Sequence, residues 1–208
     1  MTRMCHPAIR NAIPKMALSF LVLGPSAAVL AQTPALTPDP NAWRPVVYSD
    51  LQLPGPDTKP FAAIWADRIS ANNAAYKAMG DTRYVVANAP VTESHFVIRS
   101  PIKTVVLSVL NTATGCKIIG ADAPGNATLK RCPMRLAIYQ SGNSTISDAG
   151  NGCFVEYGPA PANVSIDTQR NAAYAAYDVS ARTIRTGAFL GRKAIDECVL
   201  LVPLTSTN

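Results

Sequence analysis

Five cysteines, two histidines and a scatter of carboxylates are the residues of this chain with chemistry to offer. Cys116, Cys132, Cys153 and Cys198 lie in its second half, and Cys5 stands alone near the start. Cysteine-built zinc sites bring pairs separated by two to four residues, and thioredoxin-like redox sites need Cys-x-x-Cys. Neither spacing occurs here. An even set of four in an exported chain is instead expected to form two disulfides. Three pairings are possible. Cys116 with Cys132 and Cys153 with Cys198 is the preferred one, because the first two adjoin strand-like runs joined by one turn-rich connection, "GADAPGN". In the loop-entropy picture the shorter bridge contributes about 3 kcal/mol and the wider one about 4.

His95, in "TESHFVIRS", is the only histidine beyond the first few residues. A serine hydrolase would need a serine and a carboxylate folded onto it. Its neighbour Ser94 points to the opposite face of a strand, and no Gly-x-Ser-x-Gly elbow is present. Glu93 and His95 share a strand face, which makes a two-ligand fragment and not a metal site. Glycosidase chemistry needs two facing carboxylates. Glu93, Glu156 and Glu197 are available with the aspartates, but no spacing selects a pair. Asp148, in a loop-like stretch of Gly, Ser and Asn, is the one plausible calcium ligand. Dinucleotide and phosphate-loop motifs are absent. No catalytic residue, metal site or cofactor is therefore expected. Arg182, Arg185, Arg192 and Lys193 form the densest basic region and read as a solvated face or loop, the alternative being a site for an anionic surface such as lipid headgroups or polysaccharide. Asn126, Asn143 and Asn163 match the glycosylation pattern, too short a pattern to inform on function.

These residues need elements to hold them, and the chain starts with a segment read as a targeting signal. Residues 1–31 carry Arg3, Arg10 and Lys15, an apolar run from Met16 to Leu23, and small residues ending at Ala31. That is the pattern of a cleaved secretory signal peptide, and the apolar run is shorter than the roughly 20 residues that span a bilayer. Three of the 19 Lys and Arg and none of the 13 acids lie in it, so the remainder carries 16 minus 13, or +3. Such a spread charge gives no nucleic-acid footprint. The expected protein is exported, periplasmic or extracellular, with no transmembrane segment after cleavage.

Residues 32–59 hold most of the chain's early prolines and read as an extended arm or linker. "WRPVVYSDLQLP" (43–54) is the apolar exception, and Trp43, Val46, Val47 and Tyr48 are candidates for docking on the chain's own domain or on a partner. The spacing of Phe61, Ile64, Trp65, Ile69, Tyr76 and Met79 predicts one amphipathic helix over 60–79, capped by Asp57 or Thr58 and ended by Gly80. Trp65 is a further docking candidate on it.

Beyond the helix, "RYVVAN" (83–88), "SHFVIR" (94–99), "KTVVLSVLN" (103–111), "CKII" (116–119), "MRLAIYQ" (134–140), "CFVEY" (153–157) and "ECVLLVPL" (197–204) read as strands. Residues 120–126 and 141–152 read as loops. Residues 167–193 are ambiguous, with strand favoured from about 173. The expected fold is mainly β with one N-terminal amphipathic helix: an antiparallel β-sandwich of residues 60–208 stapled by two disulfides. The functional expectation is a non-enzymatic envelope or extracellular binding or assembly component with a protein partner. The alternative is a secreted carbohydrate-binding module or carboxylate-dependent hydrolase, with Trp43, Tyr139 and Tyr157 as stacking surfaces.

Overall fold

In "KTVVLSVLN" apolar side chains fall on both faces of the strand, and the structure covers both. Val105, Leu107 and Val109 pack with Phe96, Met134 and Leu136 against a second sheet. Val106 and Leu110 pack with Val91 and Ala137 beneath the helices. The computed structural model describes residues 43–80, 89–159 and 169–204. The strands are β1 (Arg44–Pro45), β2 (Val47–Asp50), β3 (Val91–Arg99), β4 (Lys103–Thr112), β5 (Lys117–Asp122), β6 (Ala127–Gln140), β7 (Asn143–Tyr157), β8 (Ala172–Asp178), β9 (Thr183–Leu190), β10 (Lys193–Ala194) and β11 (Leu200–Pro203). Two α-helices, α1 (Lys59–Ile64) and α2 (Ala66–Ala78), lie between β2 and β3.

Both sheets are antiparallel. The first runs β2-β3-β4-β6-β5, with β7 also on β6; the second runs β1-β8-β9-β10, with β11 also on β9. Strand β6 is the longest-serving member. It pairs with β5 through Ala127–Arg131, with β4 through Met134–Gln140, and with β7 along its other edge. Gln140 opposes Asn143 across a two-residue turn in which Ser141 and Gly142 have φ of 51° and 81°. Two positive φ values are the signature of the type I′ hairpin, whose twist matches the strands it joins.

The cysteines form the expected pairs. Cys116–Cys132 ties the start of β5 to β6 with Cα atoms 4.4 Å apart. Cys153–Cys198 ties β7 to the short 3-10 turn Asp196–Cys198, with Cα atoms 5.5 Å apart. That turn occupies the start of the stretch read as a final strand, so only Leu200–Pro203 is strand.

Three other expectations change. Residues 143–152, read as loop from their Ser, Asn and Gly content, are the first half of β7. Their polarity reflects nearly complete exposure of their side chains, whereas the backbone is paired along β6. The single helix is two: it breaks at Trp65, whose φ of −115° is not helical. Its apolar face also stops early. Ile64 and Trp65 are buried, Phe61 and Ile69 pack at the edge of the core, and the only buried residue of α2 is Asn72, while Met79 is 64% exposed. The hydroxyl of Thr58 donates to the Gly55 carbonyl instead of capping the helix. The expected strand at 83–88 lies outside the described residues.

The third change concerns the arm. From Arg44 on it docks on its own sheets, one of the two readings of its apolar stretch. β1 pairs with β8, the Val46 N–H donates to the Ala173 carbonyl, and β2 pairs with β3, so one short segment is stitched into both sheets. Leu51 then enters the core beneath the helices at 1% exposure. Leu51→Ala should lower the unfolding free energy by about 2–5 kcal/mol, the range for truncating a buried leucine. Urea denaturation of this variant beside Val47→Ala, at a position 57% exposed, checks it. Equal small effects from both would place the segment outside the core.

Candidate functional site

The face of the first sheet beneath α1 carries a buried polar chain. Glu93, His95 and Ser108 sit on adjacent strands, and alternation turns all three toward the helix. Trp65 Nε1–H donates to Ser108 Oγ (2.9 Å), and Ser108 Oγ–H donates to Glu93 Oε2 (2.7 Å). His95 Nδ1 lies 2.7 Å from Glu93 Oε1, which accepts from it. The Phe61 ring stacks on the imidazole at 3.8 Å and 14°. Glu93 is wholly buried and the serine bonds the glutamate instead of the histidine, so no nucleophile and base face a substrate here. The network fastens α1 to the sheet. Arg135 fastens the helix junction beside it: Nη1 donates to the Ile64 carbonyl, both Nη atoms donate to Asp67, Nε donates to Asp148, and the guanidinium lies 4.7 Å from the Trp65 ring centroid.

On the opposite face, where the β3–β4 ladder ends, lies a cleft of ≈ 640 Å³. Its walls come from β2 and β3 (Tyr48, Asp50, Thr92), from the β5–β6 turn (Asp122, Ala123, Asn126) and from the end of β7 (Phe154, Glu156, Tyr157). Tyr48 packs edge-on to Phe154 and Tyr157 with ring centroids 5.3 and 6.5 Å away. Burial, with Tyr157 nearby, raises the Tyr48 hydroxyl well above its usual range.

The polar wall is braced from behind. Buried Asn111 donates through Nδ2 to Thr92 Oγ1 (3.0 Å) and to Glu156 Oε1 (2.9 Å), and its own Oδ1 accepts from Lys130 at 3.3 Å. Lys130 Nζ also pairs with Glu156 Oε2 at 2.7 Å. Partial burial pushes the Glu156 carboxyl up, but the bonds from Lys130 and Asn111 outweigh it and leave it below its ordinary value. Across the cleft, Arg170 grips Asp122 with Nε and Nη2, and Asn171 Nδ2 adds a third bond at 2.9 Å. Arg170 first, then Asn171, hold the Asp122 carboxyl down at about 2. Gly125 is required beneath this knot: a Cβ there would meet Asn171 Nδ2 and Asp122 Oδ2 at 2.2 Å.

The residues singled out in the sequence scatter over the molecule. Trp65 is 0% exposed and covers its own sheet, so its ring is not a docking surface. Trp43 lies against Gly187 of the second sheet, 3.3 Å from where a Cβ would stand, and Val46 packs against two neighbouring core clusters that share one face of β8 and β9. Val47 stays exposed, while Tyr48 turns into the cleft. Of the proposed stacking aromatics only Tyr157 lines the cleft; Tyr139 packs beneath the helices. Asp148 is an acceptor for Arg135 and not an open calcium ligand. Arg185 of the basic region pairs with Asp178 at 3.4 Å. Among the described residues no three His, Cys, Asp or Glu side chains cluster as metal ligands, and no helix is long and apolar enough to cross a membrane. Asp50, Thr92, Asn111 and Asp122 went unnoticed in the sequence. The signal for the first was Tyr48-x-Asp50, two residues on one strand face.

Two outcomes follow from these networks. Glu93→Ala leaves Ser108 and His95 without their acceptor and should cost about 3–5 kcal/mol, as breaking a buried pair does; a chemical-denaturation loss under about 1 kcal/mol would show the pocket to be solvated. Asp122 is held below its ordinary 3.8 at about 2, so the stability it contributes is present above pH 4 and is lost as pH falls from about 4 toward 2. Urea midpoints over that window should fall less steeply in Asp122→Asn, with a remaining slope from Asp67, which Arg135 also holds at about 2. No protein-family model, curated protein or solved structure matches the chain, so the chemistry of the cleft is read from its own residues.

Proposed function

We propose that the chain is an exported, non-enzymatic binding protein, a disulfide-stapled β-sandwich of the periplasm or extracellular space that takes a small polar ligand into the cleft beside Tyr48 and Tyr157. The observation that carries this reading is the cleft itself: ≈ 640 Å³, with an aromatic wall and a few polar groups already braced by buried partners. That is the build of a preformed small-molecule site. Export is supported by the two disulfides, which persist in oxidising compartments, and by the basic, apolar and small-residue succession of residues 1–31.

Binding is favoured over catalysis by the state of the carboxylates. A glycosidase needs one carboxyl group kept protonated near neutral pH as general acid. Asp122 and Glu156 are both shifted the other way, each neutralised in advance by its own cation. Assembly through Trp43–Tyr48 has less support, since these residues pair or pack within their own chain.

Ala123 is exposed on the rim of the cleft, so Ala123→Trp should fill the opening without disturbing the core. Titration of the labelled protein with glucose, N-acetylglucosamine and glucosamine, followed by amide shifts, should move Thr92, Ala123 and Tyr157, and the blocked variant should lose the response. Shifts confined to other surfaces, or unchanged by Ala123→Trp, would overturn the reading.

A further inference from the structure

We propose that the cleft selects a protonated amine carried on a hydroxyl-rich small molecule, an amino sugar in chemical class, with Asp50, Tyr48 and Thr92 as the recognising residues. This rests on the reading of the cleft as a ligand site and specifies what it takes.

Charge is the first argument. Three carboxylates line the cleft, from Asp50, Asp122 and Glu156, and no Lys or Arg is among the lining residues. Two of the three are balanced from outside, Asp122 by Arg170 and Glu156 by Lys130. Asp50 is not: its side chain accepts only the Gln52 N–H, through Oδ1 at 2.8 Å, and has no ion pair among the described residues. One unbalanced negative charge therefore stands at the cleft, which favours a cationic guest and repels phosphate or uronate groups.

Placement is the second. Tyr48 and Asp50 are two apart on β2 and so share a face, and Asp50 opposes Thr92 across the β2–β3 ladder. All three line the cleft. Tyr48 keeps 38% exposure and lines the cleft beside Phe154 and Tyr157, so the cleft has an aromatic wall. An aromatic ring beside a carboxylate binds an ammonium twice over, by its quadrupole and by charge. Thr92 Oγ1 accepts from Asn111, which leaves its own proton for an acceptor in the guest. Thr128 is a further hydroxyl-bearing residue of the lining, suited to ring hydroxyls on the ligand.

The test compares glucosamine with its uncharged counterparts by calorimetry at low ionic strength. Glucosamine should bind about tenfold more tightly than glucose or N-acetylglucosamine, the size of one desolvated ammonium–aromatic contact with a carboxylate neighbour, and galacturonate should not bind. Asp50→Asn keeps the Oδ1 acceptor for Gln52 and should erase the tenfold preference while weak glucose binding persists. Added salt should weaken glucosamine alone. Equal affinities for glucosamine and glucose, both lost in Ala123→Trp, would overturn the amine assignment and leave the cleft a ligand site. No response from any of the sugars at the cleft would overturn both. Spermidine binding as tightly as glucosamine, and dependent on Asp50, would overturn the sugar part.

Discussion

The backbone ladder along β6 is the interaction on which the rest of this structure depends. Its one edge carries β4 and β5 in succession and its other edge carries all of β7. Register along β6 therefore places four contacts that tie other elements to it. Lys130 reaches the cleft wall, Arg131 reaches Glu197, Cys132 holds Cys116, and Arg135 holds the helix junction. A slip of one residue would turn each of these side chains to the opposite face. The type I′ turn at Ser141–Gly142 sets that register from one end, and the Cys116–Cys132 bridge sets it again in the middle.

Covering the first sheet on both faces creates a second constraint. Buried faces are ordinarily filled with apolar groups, because an unpaired polar group in a dry interior costs about 1–3 kcal/mol. Here Glu93, His95 and Ser108 interrupt the apolar surface under α1 and satisfy one another, with Trp65 closing the chain. A buried charged or polar network adds little stability over apolar packing of the same volume, but it is intolerant of misplacement. Its effect is to dictate where α1 sits. Arg135 does the same at the next turn, and between them they account for the break at Trp65: the ring must turn inward to meet Ser108 and the guanidinium.

Much of this was legible in the sequence where side-chain pattern reports on environment. The two-sided apolar character of "KTVVLSVLN" told that β4 is central, and the cysteine arithmetic pointed to the bonds that form. Where composition and backbone pairing part company the pattern misleads. The first half of β7 has the residues of a loop because both its faces meet water. The proline-rich segment hides β1 and β2, since Pro45 is tolerated at a sheet edge and four residues of strand leave a faint period. The site was less legible than the fold. Its residues are drawn from positions as far apart as Tyr48 and Tyr157, and short range in sequence reveals only the Tyr48–Asp50 alternation.

The cleft exists because one strand is broken. β4 ends its pairing with β3 at Thr112 opposite Val91, and residues 113–116 turn away before β5 resumes along the first half of β6. Among the described residues β5 has no strand on its far side, so the sheet loses its β2–β3 members there while β6 and β7 continue. The cleft is walled by the ends of long, well-paired strands and by the turn between β5 and β6. Asn111 sits at the last turn of the ladder and holds Thr92 on one side and Glu156 on the other, which carries the rigidity of the sheet into the wall of the opening. Two of its three carboxylates, Asp122 and Glu156, are already paired with Arg170 and Lys130. The ordering cost of this wall has been met in folding, which is the physical support for the proposed binding role.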